Sequence, residues 1–177
     1  MSKLTPSRWL DAITATSTRP ATGPIRVAVI GCGELAQTAH LPLLRRSGDF
    51  AIAAIADPNP DALAACATIA KRAQQATDYH ELLTSWVADA VVLALPTSLH
   101  ATAAQEAFDA GLHVYLEKPV ASDLDGAKAI RQAWKASGRV GMIGHNYRFN
   151  PLYVKLKQMI ARKRIGNPRD ARMIFTT

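Results

Sequence analysis

Features that would commit this chain to a membrane, a metal or a disulfide framework are missing from its 177 residues. No apolar run reaches the roughly 20 residues that a membrane-spanning helix needs, so no membrane partner is expected. The opening MSKLTPSRWLDAITATSTRPATG (1–23) is rich in Ser, Thr, Ala and Pro and has no continuous apolar core, which argues against a secretory signal. It reads as a flexible leader with one short helix near Trp9, Leu10 and Ile13. Cysteine is scarce: Cys32 and Cys66 lack the C-x-x-C spacing of zinc and redox sites, and no His-rich cluster adds ligands. No metal is expected, and the cysteine usage suits a reducing cytoplasm. There is no internal repeat, and nothing of low complexity beyond the leader.

What is present is a globular composition, 49% apolar and 20% charged, long enough for one ordinary domain and part of another. The formal charge of +7 is concentrated at one end. Residues 151–177 carry Lys155, Lys157, Arg162, Lys163, Arg164, Arg169 and Arg172 against Asp170 alone, leaving the rest nearly neutral. A basic tail can bind nucleic acid. Here the charges are interleaved with Leu152, Val154, Leu156, Met159 and Ile160, the pattern of a solvated helix face or of one that meets a missing partner, and no nucleic-acid partner is expected.

Apolar, β-rich runs alternate with helical patterns. IRVAVI (25–30) precedes a helix to about Arg46, and FAIAAIAD (50–57) precedes one through PDALAACATIAKRA. DAVVLALP (89–96) leads into SLHATAAQEAFDAG, where Gly111 suits a helix stop. LHVYLEK is followed by SDLDGAKAIRQAWKASG, and RVGMIGHN by a helix from near Pro151. The strands are continuously apolar, as strands buried on both faces must be. Repeated βα units with short turns predict an α/β fold with a doubly wound parallel sheet.

Gly31, Gly33 and Ala36 in GCGELA match G-x-G-x-x-[GA] directly after a buried strand and at the opening of a helix. In that context Gly31 allows the tight turn, Gly33 lets backbone approach a pyrophosphate, and Ala36 lets helix and strand pack closely. The N–H groups of Glu34 and Leu35, with the helix dipole, would hold the phosphates. Asp57, ending the second strand, can accept both adenosine ribose hydroxyls. It would repel a 2′-phosphate, and no Arg or Lys follows to neutralise one, so the expected cofactor is NAD rather than NADP.

A fifth strand that closes on Glu117, Lys118 and Pro119 is hard to explain inside a core, since neither charge tolerates burial and proline cannot donate to a ladder. At the carboxyl end of a doubly wound strand, the same tripeptide enters the ligand crevice. There Lys118 could serve as a general acid or base toward a substrate hydroxyl. A structural Glu–Lys turn is the plain alternative.

In order along the chain, VAVIGCGELAQTAHLPLL, ALPTSLHATAA, GLHVYLEKPVA and GHNYRFNP resemble the glucose–fructose oxidoreductase, inositol dehydrogenase and rhizopine-catabolism (Gfo/Idh/MocA) family of nicotinamide-dependent oxidoreductases. The resemblance implies a Rossmann domain over 24–150 and hydride transfer between nicotinamide and a sugar, polyol or related hydroxyl or carbonyl compound. It implies Pro96, Thr97 and His100 along the pyrophosphate and nicotinamide ribose, Glu117 near that ribose, and Lys118 beside the reacting carbon. A cis peptide before Pro119 is implied too. Asn146, Tyr147 and Arg148 would border the nicotinamide and substrate pocket. For His100 the other reading is a helix-start residue that touches nothing; for Tyr147 and Phe149 it is ordinary packing.

The resemblance also implies a second α+β domain that is essentially absent here, 151–177 corresponding to a linking helix and that domain's first strand. Small-molecule substrate is therefore expected only if a substrate domain is supplied, and the strand at Arg172–Thr177 predicts self-association or poor order. A non-catalytic dinucleotide-binding sensor, or a partner of a separate chain, is the alternative function; a truncated remnant is a third.

Overall fold

A computed structural model describes residues 23–84, 87–172 and 174. The leader helix expected near Trp9 lies outside the described residues. So does most of the expected terminal strand, of which Arg172 and Ile174 are described, neither of them in a strand.

Six parallel strands form one sheet: β1 (Ile25–Ile30), β2 (Phe50–Ala56), β3 (Gln74–Ala76), β4 (Ala90–Leu93), β5 (His113–Leu116) and β6 (Gly141–Ile143), in the order β3-β2-β1-β4-β5-β6. The helices are α1 (Leu41–Arg46), α2 (Pro60–Ile69), α3 (His80–Thr84), α4 (His100–Asp109), α5 (Leu124–Ser137) and α6 (Pro151–Ala161). This is the doubly wound order, with its reversal between β1 and β4.

Continuous apolarity in the strands is explained by two cores. Ala28, Ile30, Val91, Leu93, Val114 and Leu116 face α4 and α5, meeting Ala103, Ala104, Ala107, Phe108 and Ile130. Val27, Val29, Ile55 and Val92 turn the other way, toward Leu41, Leu63 and Cys66. Alternate residues of one strand thus serve opposite layers, each large side chain contributing roughly 1.5–3 kcal/mol of burial. Local signals agree with the helices they delimit. The Asp123 carboxylate caps α5 by accepting the Gly126 N–H at 2.7 Å, and Gly138, at φ +65°, ends it.

β3 and α3 carry no clear sequence signal, and α2 stops at Ile69 rather than reaching Ala73. The chain turns there, with the Ala73 N–H bonding to Ala70 O, to deliver Gln74–Ala76 onto the β2 edge. The helix after β1 also differs from expectation. It widens into a π turn over Ala36–His40, where the Leu41 N–H reaches Ala36 O. Pro42 has no N–H for an α-helical bond, and the wider turn accommodates it.

In β5, beside the edge strand β6, His113 is 1% exposed, and its Nδ1 accepts the Val140 N–H at 3.0 Å, pinning the entry to β6. Burial, reinforced by Arg139 and partly offset by Asp89, brings its pKa down to about 4. The unfolded chain takes up this proton near pH 6.5 while the folded chain refuses it. The contribution is therefore whole above pH 6.5 and is lost as pH falls toward 4. Denaturant titrations at pH 7.5 and pH 5 should differ by about 2 kcal/mol from this group. His113→Asn keeps an acceptor for Val140 and should remove that part of the difference; an unchanged difference in the variant would assign it elsewhere.

The chain divides into two compact units after Gly144. The second holds a 3-10 turn (Asn146–Phe149) and α6, whose Leu152, Leu156 and Ile160 are exposed.

Candidate functional site

All six strands run the same way, so the turns after β1, β2, β4 and β5 gather at one edge of the sheet, around the order reversal. Gly31 makes the first turn at φ +92°, its N–H bonded to Ala56 O at 2.9 Å. A Cβ there would lie 2.4 Å from Ala94 O, so both conformation and space demand glycine. Gly33 is different. It is exposed, and a Cβ on it would meet nothing within 4 Å. No protein atom explains that glycine; a ligand approaching the backbone would. A continuous helix starts at Glu34 and Leu35, whose N–H groups have no carbonyl one turn earlier. Ala36 is fully buried beneath them, as close packing requires. The residues present therefore fit a dinucleotide pyrophosphate.

Asp57 braces this turn as well as facing the crevice. Its Oδ2 accepts the Cys32 N–H at 2.7 Å and its Oδ1 the Asn59 N–H at 2.8 Å. Each carboxylate oxygen keeps acceptor capacity for a hydroxyl. Gln37 adds a second brace, its Nε2 donating to Cys32 O at 2.8 Å. Cys32 and Cys66 are free and buried, and desolvation raises the pKa of both thiols, so they behave as packing groups.

After β4, Pro96 precedes a 3-10 turn over Thr97–Leu99, with Pro96 exposed and Thr97 half-buried. His100 does not point a free nitrogen at this crevice. It is 1% exposed, with Nδ1 2.8 Å from Pro119 O and Nε2 2.9 Å from Leu95 O. The ring thus lies between the β4 and β5 loops, close to a carbonyl of each.

After β5, Glu117 is 8% exposed, whereas Lys118 is open to solvent, and the Lys118–Pro119 peptide is cis. Glu117 Oε2 accepts the Lys118 N–H at 3.1 Å. Glu117 Oε1 receives the Tyr115 hydroxyl at 3.4 Å and lies 3.1 Å from His40 Nε2. Burial, then the neighbouring carboxylate, pushes the Tyr115 pKa up to about 12, so the phenol remains a donor. Burial also holds His40 below the usual imidazole range despite the opposing pull of Glu117. Gly144 closes over the group: a Cβ would fall 2.8 Å from the Tyr115 hydroxyl and 3.0 Å from Glu117 Oε1.

The structure thus brings Gly31, Gly33, Glu34, Leu35, Ala36, Asp57, Pro96, Thr97, Glu117 and Lys118 to one edge of the sheet. Asn146 and Arg148 are exposed residues of the second unit, beyond the boundary at Gly144. Sequence reasoning missed His40, Tyr115 and Gln37. Pro42 inside a helix was the available signal for His40. Among the described residues there is no group of three or more His, Cys, Asp or Glu able to hold a metal, and no helix long and apolar enough to cross a membrane.

Comparison with known proteins agrees with this geometry. Residues 25–145 match the family described as "Oxidoreductase family, NAD-binding Rossmann fold". An inositol 2-dehydrogenase/D-chiro-inositol 3-dehydrogenase of Shouchella clausii is 33% identical over 152 residues, covering 85% of this chain and 44% of that protein. The WlbA dehydrogenase of Bordetella pertussis, solved with NADH and UDP-GlcNAcA, superposes with a TM-score of 0.78 at 29% identity, covering 84% of this chain and 42% of that one. KijD10, a 3-ketoreductase of Actinomadura kijaniata solved with NADP, gives 0.74 at 30% identity, covering 81% and 45%. The chain spans less than half the length of each. Glycine turn, braced Asp57 and strand-end Glu117-Lys118 occupy the edge where an NAD(P)-binding sheet receives its cofactor, and with the match over 25–145 they show that the chain belongs to the Gfo/Idh/MocA oxidoreductases, as their NAD-binding Rossmann domain.

Proposed function

We propose that this domain binds NAD in preference to NADP and contributes Lys118 as acid/base to hydride transfer on a polyol or sugar-like substrate. The carrying observation is the Asp57 carboxylate at the end of β2, hydrogen-bonded to the glycine turn, with Pro58, Asn59 and Pro60 following and no cation among them. A carboxylate so placed favours two ribose hydroxyls and disfavours a phosphate dianion.

Glu34 and Leu35 would hold the pyrophosphate on their N–H groups, with Gly33 leaving the backbone open and Pro96 and Thr97 forming the facing wall. Glu117 would accept from the distal ribose. When bound, the dinucleotide supplies the hydride acceptor or donor at nicotinamide C4. Lys118 takes the hydroxyl proton as its carbon is oxidised and returns it in the reverse direction, while its backbone is held by Glu117 Oε2. The inositol dehydrogenase relative and the nucleotide-sugar complex of WlbA support a polyhydroxylated substrate.

Lys118→Met tests the lysine. With a substrate domain supplied, turnover with inositols or a nucleotide sugar should fall by ~100-fold or more, the range of a lost general acid/base, with NADH affinity kept within a factor of about two. Unchanged turnover would remove lysine chemistry and leave a dinucleotide-binding module.

A further inference from the structure

Glu117 is 8% exposed at a strand end, where an isolated carboxylate would be free to swing. Two polar groups from different parts of the chain stand against Oε1. The Tyr115 hydroxyl comes from the same strand, two residues earlier. His40 comes from the π turn, its ring meeting Tyr115 edge-to-face at 5.5 Å and 71°. Its Nε2 lies 3.1 Å from Oε1 but is not aligned for a hydrogen bond, which leaves it a buried donor without a satisfied partner. At that distance only the alignment is missing. Functional hydrogen bonds in ligand-free sites are often misaligned and tighten when the ligand arrives.

We propose that His40 is a positioning residue for the nicotinamide half of the cofactor: it completes its bond to Glu117 when the distal ribose engages that carboxylate. The claim rests on the proposed dinucleotide reading, with Glu117 at the distal ribose. The π turn is what makes it work. One extra residue in the helical turn, accommodating Pro42, carries the ring over the end of β5 while Ala36 stays packed beneath the glycine turn. The adenosine half, held by Asp57 and the Glu34 and Leu35 amides, does not depend on His40.

That division supplies the test. NADH has the distal ribose and ADP lacks it. Affinities for both are measured by titration of the intact chain and of His40→Leu, His40→Gln and His40→Phe, with a melting curve for each. His40→Leu should weaken NADH about tenfold, the scale of one hydrogen bond to a charged group, and change ADP less than about twofold. His40→Gln retains an N–H of similar reach and should recover most of the loss. Should His40→Leu fail to fold, His40→Phe carries the test, since it keeps the ring contact with Tyr115 while removing the ring nitrogen, and should weaken NADH but not ADP. Equal weakening of NADH and ADP, or none, overturns the role of His40. A wild-type chain that binds ADP as tightly as NADH overturns the assignment of Glu117 to the distal ribose, and the proposal with it.

Discussion

Gly31→Ala should destabilise the domain by about 4 kcal/mol, combining the strain of a left-handed alanine with the displacement of packed backbone. The reason is local and twofold. At φ +92° an L side chain is strained, and its Cβ would stand 2.4 Å from Ala94 O and 2.7 Å from Ala94 C. Ala94 cannot retreat easily, because its N–H is bonded to Ile30 O at 2.8 Å, the last link between β1 and the β4 loop. Either the turn opens, releasing the Gly31 N–H from Ala56 O, or β4 shifts against β1. Both damage the centre of the sheet. For a domain of this size the melting temperature should fall by roughly 10 °C or more. An unchanged melting temperature would mean that the turn is looser than its contacts imply.

Gly33→Val should do the reverse, leaving the fold and removing the ligand. A Cβ at Gly33 meets no protein atom, so the melting temperature should hold or rise slightly as the unfolded chain loses freedom. The added methyls would occupy the space through which a pyrophosphate reaches the Glu34 and Leu35 amides. NADH affinity should fall ~100-fold, equivalent to losing one or two charge-assisted hydrogen bonds. Two glycines in one motif thus give opposite signatures, because Gly31 answers to the protein and Gly33 to the ligand. Normal NADH affinity in a folded Gly33→Val protein would place the cofactor elsewhere.

Much of this was legible in the sequence wherever a residue type is itself a backbone demand. Gly31 and Gly33 announce the turn, and Pro119 ends β5. The continuous apolar strands announce a sheet covered on both faces. β3 was illegible because Gln74 and Gln75 are exposed and carry no apolar pattern; the segment is a strand only because β2 offers it hydrogen bonds. His40 was illegible for a different reason. Reaching Glu117 across 77 positions depends on a π turn, which a regular 3.6-residue reading of the helix places wrongly. The burial of His100 was illegible too: the resemblance set it along the cofactor but gave no sign that its ring nitrogens would lie against Leu95 O and Pro119 O.

The most direct test of the account is a fluorescence titration of the purified chain with NADH beside NADPH, at one fixed salt concentration. Saturable binding with NADH the tighter of the two, and loss of that preference in Asp57→Ala, is the predicted result. Tighter NADPH would contradict the reading of Asp57. No saturable binding of either nucleotide by a folded chain would contradict the site itself.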